Sequence, residues 1–254
     1  MALLDDALGG TRFSDSTPML DLVRRHREEI ASQMVARLAE SDEFAQMMER
    51  NFGPYQRLMT YYECAMMEVE TKFRVLDAEY GLQHDRNPIE SIKTRLKSTD
   101  SLAKKLVRKG FPLSVESVER NIYDVAGVRV VCTFPEDMFT LAEALLAQDD
   151  VTLIERRDYV ANPKPSGYRS LHLIIETPIF LQKEKRLVKV EVQLRTISMN
   201  FWASLEHQLR YKKDLDEETA AAVAAELADL AEVSANMDAR MQALRNYLDG
   251  MEEG

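Results

Sequence analysis

The chain has 254 residues, 45% of them hydrophobic and 30% charged, the balance of a soluble globular protein with apolar residues enough for a full core. Its formal charge of -10 speaks against wholesale nucleic-acid binding, and no run approaches the roughly 20 apolar residues of a membrane span. Met1 to Leu20 carry Asp5 and Asp6 without the apolar stretch of a signal peptide, so a cytoplasmic location with no membrane partner is expected. Cys64 and Cys132 lie far apart, with no CxxC partner or histidine at ligand spacing. A disulfide framework and a zinc site are therefore both unsupported, and the two cysteines are expected to be small buried hydrophobes.

Elements follow in chain order. Thr17 before Pro18, with Leu22, Val23, Ile30, Met34 and Leu38 behind them, predicts a first helix. After Gly53-Pro54, the residues Tyr55, Leu58, Tyr62, Met66, Val69, Phe73 and Leu76 recur every three or four positions, predicting a second long helix that ends at Gly81. Its aromatic and methionine stripe is taken as core or subunit interface rather than a cofactor box. From Ile89 the period changes. Ile92, Thr94 and Leu96 alternate with Lys93, Arg95 and Lys97, as in a half-buried strand with three cations on one face. Ser98 to Arg108 has the pattern of a capped helix closed by Gly110, and its start places free backbone N–H groups beside those cations.

A short helix over Val115 to Arg120 then leads into a Val-rich strand over Val125 to Phe134 and a helix from Glu136 to Ala147. Further strands are expected near Val151 to Tyr159, Leu171 to Glu176 and Val188 to Leu194. Five strands interleaved with helices make an α+β, α/β-like sheet domain. A helix from about Met199 to Tyr211 precedes a longer one. There Val223, Leu227, Leu230, Met237, Met241, Leu244 and Leu248 keep a 4-3 spacing broken only at Ser234. This seam packs on the protein's own N-terminal helices or on a second subunit, with the subunit interface preferred.

Charge is unevenly spread. From Asp214 to Gly254 eleven acidic residues stand against Arg240 and Arg245, so the tail holds almost all of the net charge. Between Arg86 and Lys109 eight cations are opposed only by Glu90 and Asp100, which leaves an anionic ligand somewhere to bind. The run from Lys164 to His172 adds to this. Gly167 frees the backbone for a tight turn, Lys164, Arg169 and His172 can meet anionic oxygens, and Tyr168 offers a ring face to a base. Alone, the run would be read as a proline-braced hairpin with solvated charges. Two carboxylates complete the set: Asp124 just before one strand and Glu191 within another. Such a pair can fix Mg²⁺ while leaving sites for phosphate oxygens, although either alone would be an ordinary solvated residue. Arg129 lies five residues past Asp124, and alternation puts Glu191, Gln193 and Arg195 on one strand face.

The segments Arg95 to Leu106, Asp124 to Arg129, Asp158 to His172 and Glu191 to His207 resemble, in order, the synthetase motifs of RelA/SpoT-type enzymes, which make ppGpp and pppGpp. The resemblance spans roughly Pro88 to Lys212. It implies a mixed sheet of nucleotidyltransferase-like type flanked by helices, and transfer of the β,γ-pyrophosphate of ATP to the 3′-hydroxyl of GDP or GTP, releasing AMP. By motif match, Arg95, Lys97, Ser98, Lys105 and Arg129 would hold ATP. Asp124 and Glu191 would carry Mg²⁺ and catalysis, with Glu191 also accepting the hydroxyl proton. Tyr168 would stack on guanine, Asn200 would meet the base edge, and Arg157, Lys164 and His172 would bind acceptor phosphates. Gln193, Arg195, Ala203 and Glu206 occupy matching positions with less defined roles.

The resemblance also sets what is not expected. The chain has four histidines, His26, His84, His172 and His207, and the His84-Asp85 dipeptide lacks the other ligands of the family's hydrolase site. A small stand-alone synthetase without hydrolase activity is expected. It would comprise a helical extension over residues 1–87, a core over 88–213 and an amphipathic helix over 214–254, assembled as a homo-oligomer with a tetramer favoured. Single-stranded RNA or the alarmone itself is a candidate regulator. Two rivals stay open: a toxin-type relative that pyrophosphorylates adenine nucleotides or tRNA, and a non-catalytic nucleotide or RNA sensor.

Overall fold

Along the strand Lys185–Thr196, Val188, Val190, Val192 and Leu194 are buried while Lys189, Glu191 and Gln193 are only partly so. This is the two-residue alternation of a pleated strand with an apolar face and a polar face. The strand belongs to the five-stranded sheet of this computed structural model, which describes residues 42–84, 86–211 and 216–252. The predicted helix over residues 17–38 and His26 lie outside the described residues.

The elements are α1 (Asp42–His84), β1 (Ile89–Leu96), α2 (Thr99–Lys109), α3 (Val115–Asn121), β2 (Ala126–Cys132), α4 (Pro135–Leu146), β3 (Thr152–Asp158), β4 (Leu171–Phe180), β5 (Lys185–Thr196), α5 (Ile197–Tyr211) and α6 (Glu217–Glu252). The five strands form one mixed sheet in the order β1-β2-β5-β4-β3. Only the central pair, β2 with β5, is parallel. The expected α+β architecture with a five-stranded mixed sheet and long outer helices is therefore present.

The apolar face is covered chiefly by α1 and α4. Leu58, Tyr62, Ala65, Met66, Val69 and Phe73 of α1 join Met138, Leu141 and Leu145 of α4 and the inward residues of β2, β4 and β5 in one core. Two local expectations are corrected. The helix runs through Gly53-Pro54 instead of starting after them, because both residues are exposed and water can solvate the carbonyl that proline leaves unbonded. Nor does it end at Gly81. A β-carbon there would sit 2.9 Å from Asn87 Oδ1, so this glycine makes room for the returning chain. Asn87 Nδ2 donates to Asp77, and Asp77 accepts from the Ile89 backbone, pinning β1 to the helix. The β4–β5 hairpin also reaches further than its pattern suggests, through Pro178. β3 pairs with β4 only as far as Glu176, so beyond it β4 is an edge, where proline costs no ladder bond.

α6 packs on its own chain, against α4 and α5. The break in its apolar spacing has a reason: Ser234 hydrogen-bonds Ser198 at the start of α5. Further along, Arg245 and Arg86 both bond Asp137, which is 1% exposed, and both guanidinium groups lie over the Phe134 ring. One buried carboxylate thus ties the loop after α1, the first turn of α4 and the end of α6. Replacing it leaves two largely buried cations without their shared partner. Asp137→Ala should lower unfolding stability by about 3–5 kcal/mol in a denaturant titration, and a loss under about 1 kcal/mol would show that the arginines find other partners.

Candidate active site

The polar face of the sheet carries the chemistry, and the strand registers line it up. Lys93 of β1 faces Arg129 of β2, Arg129 faces Gln193 of β5, Gln193 faces His172 of β4, and His172 faces Arg157 of β3. One row of side chains therefore crosses all five strands. In the next row Arg95 faces Gly127 and Gly127 faces Glu191. Gly127 has no side chain, so the floor between Arg95 and Glu191 stays bare. A cleft of about 490 Å³ opens there, lined by Lys93, Arg95, Lys97, Asp124, Arg129 and Glu191 among others, which is the size of a small-molecule site.

Cations gather at one end of the cleft. Ser98 caps α2 as expected, its hydroxyl accepting from Ser101 N, and Gly110 closes the helix at φ 73°. This fixes Lys105 one and a half turns in, where its ammonium reaches Asp124 Oδ2 at 2.7 Å; Lys97 reaches the same oxygen at 2.6 Å. Burial works to raise the Asp124 pKa, but the two ammonium groups prevail and hold it below the usual carboxylate range. Burial lowers the pKa of Lys105 against the pull of Asp124, and burial with the neighbouring arginines lowers that of Arg129.

A ring of polar contacts closes the other end. Arg195 Nη2 donates to the Tyr168 hydroxyl at 2.7 Å and to Gln193 Oε1 at 3.1 Å. Gln193 Nε2 donates to Glu191 Oε2 at 2.8 Å. The Tyr168 hydroxyl lies 2.8 Å from His172 Nε2, and His172 Nδ1 stands 3.4 Å from Glu191 Oε1. With the imidazole proton on Nδ1, both arms of the ring run from the Arg195 cation to the Glu191 carboxylate. Burial would raise the Glu191 pKa, but the contacts from His172 and Gln193 bring it below its usual value. Lys164 sits 4.6 Å from the centroids of both Tyr159 and Tyr168.

Three of the five buried side-chain polar atoms without a partner among the described residues belong here, Asp124 Oδ1, Arg129 Nε and Arg195 Nε; a fourth, Asn200 Oδ1, is on α5. Unpaired buried groups are costly, so their concentration in one cleft marks a place for a polar ligand. No cluster of three or more His, Cys, Asp or Glu suited to a metal occurs among the described residues. The two carboxylates and the orphaned Asp124 oxygen nevertheless fit Mg²⁺, which commonly takes one or two carboxylates and completes its shell with phosphate and water.

Comparison with known proteins assigns the arrangement to a family. Residues 94–216 match the model described as the region found in RelA / SpoT proteins. The GTP pyrophosphokinase YwaC of Bacillus subtilis is 40% identical over 188 residues, covering 74% of this chain and 89% of the relative. The chain belongs to the RelA/SpoT family. Within it, the crystal structure of small alarmone synthetase 1 from Bacillus subtilis bound to its product pppGpp superposes with TM-score 0.68 at 34% identity, covering 76% of this chain and 97% of that one. The same synthetase bound to AMPCPP gives TM-score 0.65 at 31% identity, covering 78% and 99%.

Most residues singled out in the sequence meet in this cleft. Three stand apart. Arg157 is exposed and held by Glu155 in a two-bond pair. Ser98 is engaged in capping. Ala203 is buried with Trp202, Leu227 and Ala231 in a small cluster against which Tyr168 packs. Two residues were not assigned: Lys93, whose alternation with Ile92 was visible, and Tyr159, whose only signal was its place beside Arg157 in the third motif.

The paired lysines give a pH signature. Asp124, with its pKa depressed, contributes stability that is present above the unfolded value near 3.8 and lost as pH falls through the folded one. In Lys97→Met/Lys105→Met only the burial effect remains, so its folded pKa rises and the variant loses stability as pH climbs above 3.8. The stability gap between wild type and variant, followed by chemical denaturation, should widen from acid to neutral pH. A gap that stays constant would mean that Asp124 does not depend on these lysines.

Proposed function

We propose that the protein is a GTP pyrophosphokinase that transfers the β,γ-pyrophosphate of ATP to the 3′-hydroxyl of GDP or GTP, making ppGpp or pppGpp and releasing AMP. The observation that carries this is the pairing of two halves of one cleft. Lysines and arginines around Asp124 lie on one side, and an aromatic ring tied to Glu191 through His172 lies on the other. Family membership and the ligands of the Bacillus synthetase support it.

In this reading Arg95, Lys97, Lys105 and Arg129 hold the ATP phosphates and neutralise the charge that shifts toward AMP. Tyr168 stacks on the guanine, Asn200 offers its unpaired Oδ1 to the base edge, and Lys164 and His172 stand by the acceptor phosphates. The acceptor 3′-oxygen bonds to the β-phosphorus as the bridge between α and β breaks, and AMP keeps the bridging oxygen. The proton passes to Glu191, which its network keeps ionised. Asp124 and Glu191 would hold Mg²⁺, which supplies charge neutralisation at the phosphates. Positioning and electrostatics suffice for such a transfer, and no covalent nucleophile is needed. We assign no hydrolase function: the His84-Asp85 dipeptide lacks the other ligands of such a site in the sequence, and His84 is stacked on Tyr80 at 4.0 Å.

The deciding experiment supplies γ-labelled ATP and Mg²⁺ with GDP, GTP, AMP, ADP or deacylated tRNA in parallel. Label on a guanine nucleotide with release of AMP is expected. Label on an adenine nucleotide or tRNA identifies a toxin-type activity, and transfer to none of them leaves a nucleotide sensor. Asp124→Asn and Glu191→Gln should each abolish transfer with unchanged circular dichroism, and full turnover in either would remove that carboxylate from the chemistry. Tyr168→Ala should raise the acceptor KM by a stacking contribution of about 1–3 kcal/mol, with the KM for ATP as the internal control.

The homo-oligomer is assigned to α6. Leu230, Met237, Met241, Leu244 and Leu248 of its seam are about half exposed or more, whereas Leu227 is buried. Apolar residues at this spacing fit a second copy of the same helix. Met237→Glu/Met241→Glu should lower the mass measured by light scattering from the expected tetramer, and an unchanged mass would place the interface elsewhere.

A further inference from the structure

The acceptor loop between β3 and β4 rests on a helix that lies outside the matched family region. That region ends at residue 216, and α6 begins at Glu217. Gly167 adopts φ 86° one residue before Tyr168, and a β-carbon built on it would fall 2.5 Å from Ala231 Cβ and 3.6 Å from Ala228 Cα. A β-carbon at 167 would therefore collide with the helix at Ala231. Tyr168 itself packs on the cluster of Trp202, Ala203, Leu227 and Ala231.

The helix is held firmly at this point. Trp202 Nε1 donates to Leu227 O at 2.9 Å, one turn before Ala231. Ser198 bonds Ser234 one turn beyond it, and Thr196 Oγ1 donates to the buried Asp238 at 2.6 Å. Thr196 Oγ1 also accepts from Met199 N, so α6 is fixed to the very residue that caps α5 next to Asn200. The tip of the loop, by contrast, is closed by two backbone bonds, Gly167 N to Lys164 O at 2.8 Å and Lys164 N to Tyr168 O at 3.1 Å, with the Tyr168 hydroxyl bonded to His172 and Arg195 beyond it. If the contact is overfilled, the loop yields before the helix does.

We propose that α6 sets the position of the acceptor loop through Ala231, which is a positioning residue for nucleotide binding and not only part of the fold. This rests on the reading of Tyr168 as the base-stacking ring. A larger side chain at 231 lifts Gly167, and the Tyr168 ring follows because it is the next residue. Arg95, Lys105 and Arg129 sit on β1, α2 and β2, Lys97 lies in the link between β1 and α2, and none of them is touched by the change. The consequence is a loss confined to one substrate.

The test is calorimetric titration of the full chain with GDP and, separately, with a non-hydrolysable ATP analogue. Ala231→Val should weaken GDP binding about tenfold or more, as overpacking does, while affinity for the ATP analogue stays within about twofold. Ala231→Gly, which keeps the contact open, should bind GDP as wild type does. Ala231→Ser adds a single atom and decides the matter where the valine variant fails to fold: it should weaken GDP alone. Equal GDP affinity in the folded variants overturns the inference while leaving the proposed function standing, and so does equal weakening of both ligands. Wild type that binds no guanine nucleotide overturns the proposed function and this inference together.

Discussion

The parallel pairing of β2 with β5 at the centre of the sheet is the constraint on which the rest depends. It sets Gly127 beside Glu191 and Arg129 beside Gln193, and so brings a carboxylate, a bare floor and a cation into one cleft. A slip of one residue would turn Val190 and Val192 toward the cleft and bury Glu191 in the core. The valines that exclude that slip are the ones packed against α1 and α4. Core and site are thus two faces of one alternation, and the packing free energy of the first fixes the register of the second.

Charge is organised around that frame by partnership. Asp124 shares one oxygen between two lysines and leaves the other buried without a partner. Glu191 receives two arms of contacts that begin at Arg195. Each carboxylate stays ionised in a partly buried place because cations or donors offset the desolvation. The ring through Tyr168 and His172 also links the stacking surface to Glu191, so acceptor position and carboxylate position are not independent.

Much of the fold was legible because its signals are local. The strand β1 showed itself by the alternation of Ile92, Thr94 and Leu96 with three cations, and α2 by Ser98 at one end and Gly110 at the other. Gly81 and Pro54 misled for one reason: each carries a local preference for breaking helices, and a tertiary or solvent effect overrode it. Asn87 needed the space at Gly81, and water reaches the backbone around Pro54. Pro178 in β4 is the same case, since its tolerance depends on where β3 stops.

The sequence by itself determined which faces of β1 and β5 would be polar, which residues carried charge and ring surfaces, and the family that these motifs resemble. The first two follow from composition and spacing along one chain, and the third from the resemblance of its motifs. Only the tertiary structure decided that β2 and β5 are neighbours, that Arg195 reaches Tyr168, and that Gly167 lies against Ala231. Those contacts join residues separated by tens of positions, and they are set by how sheet and helices pack, which no local period encodes.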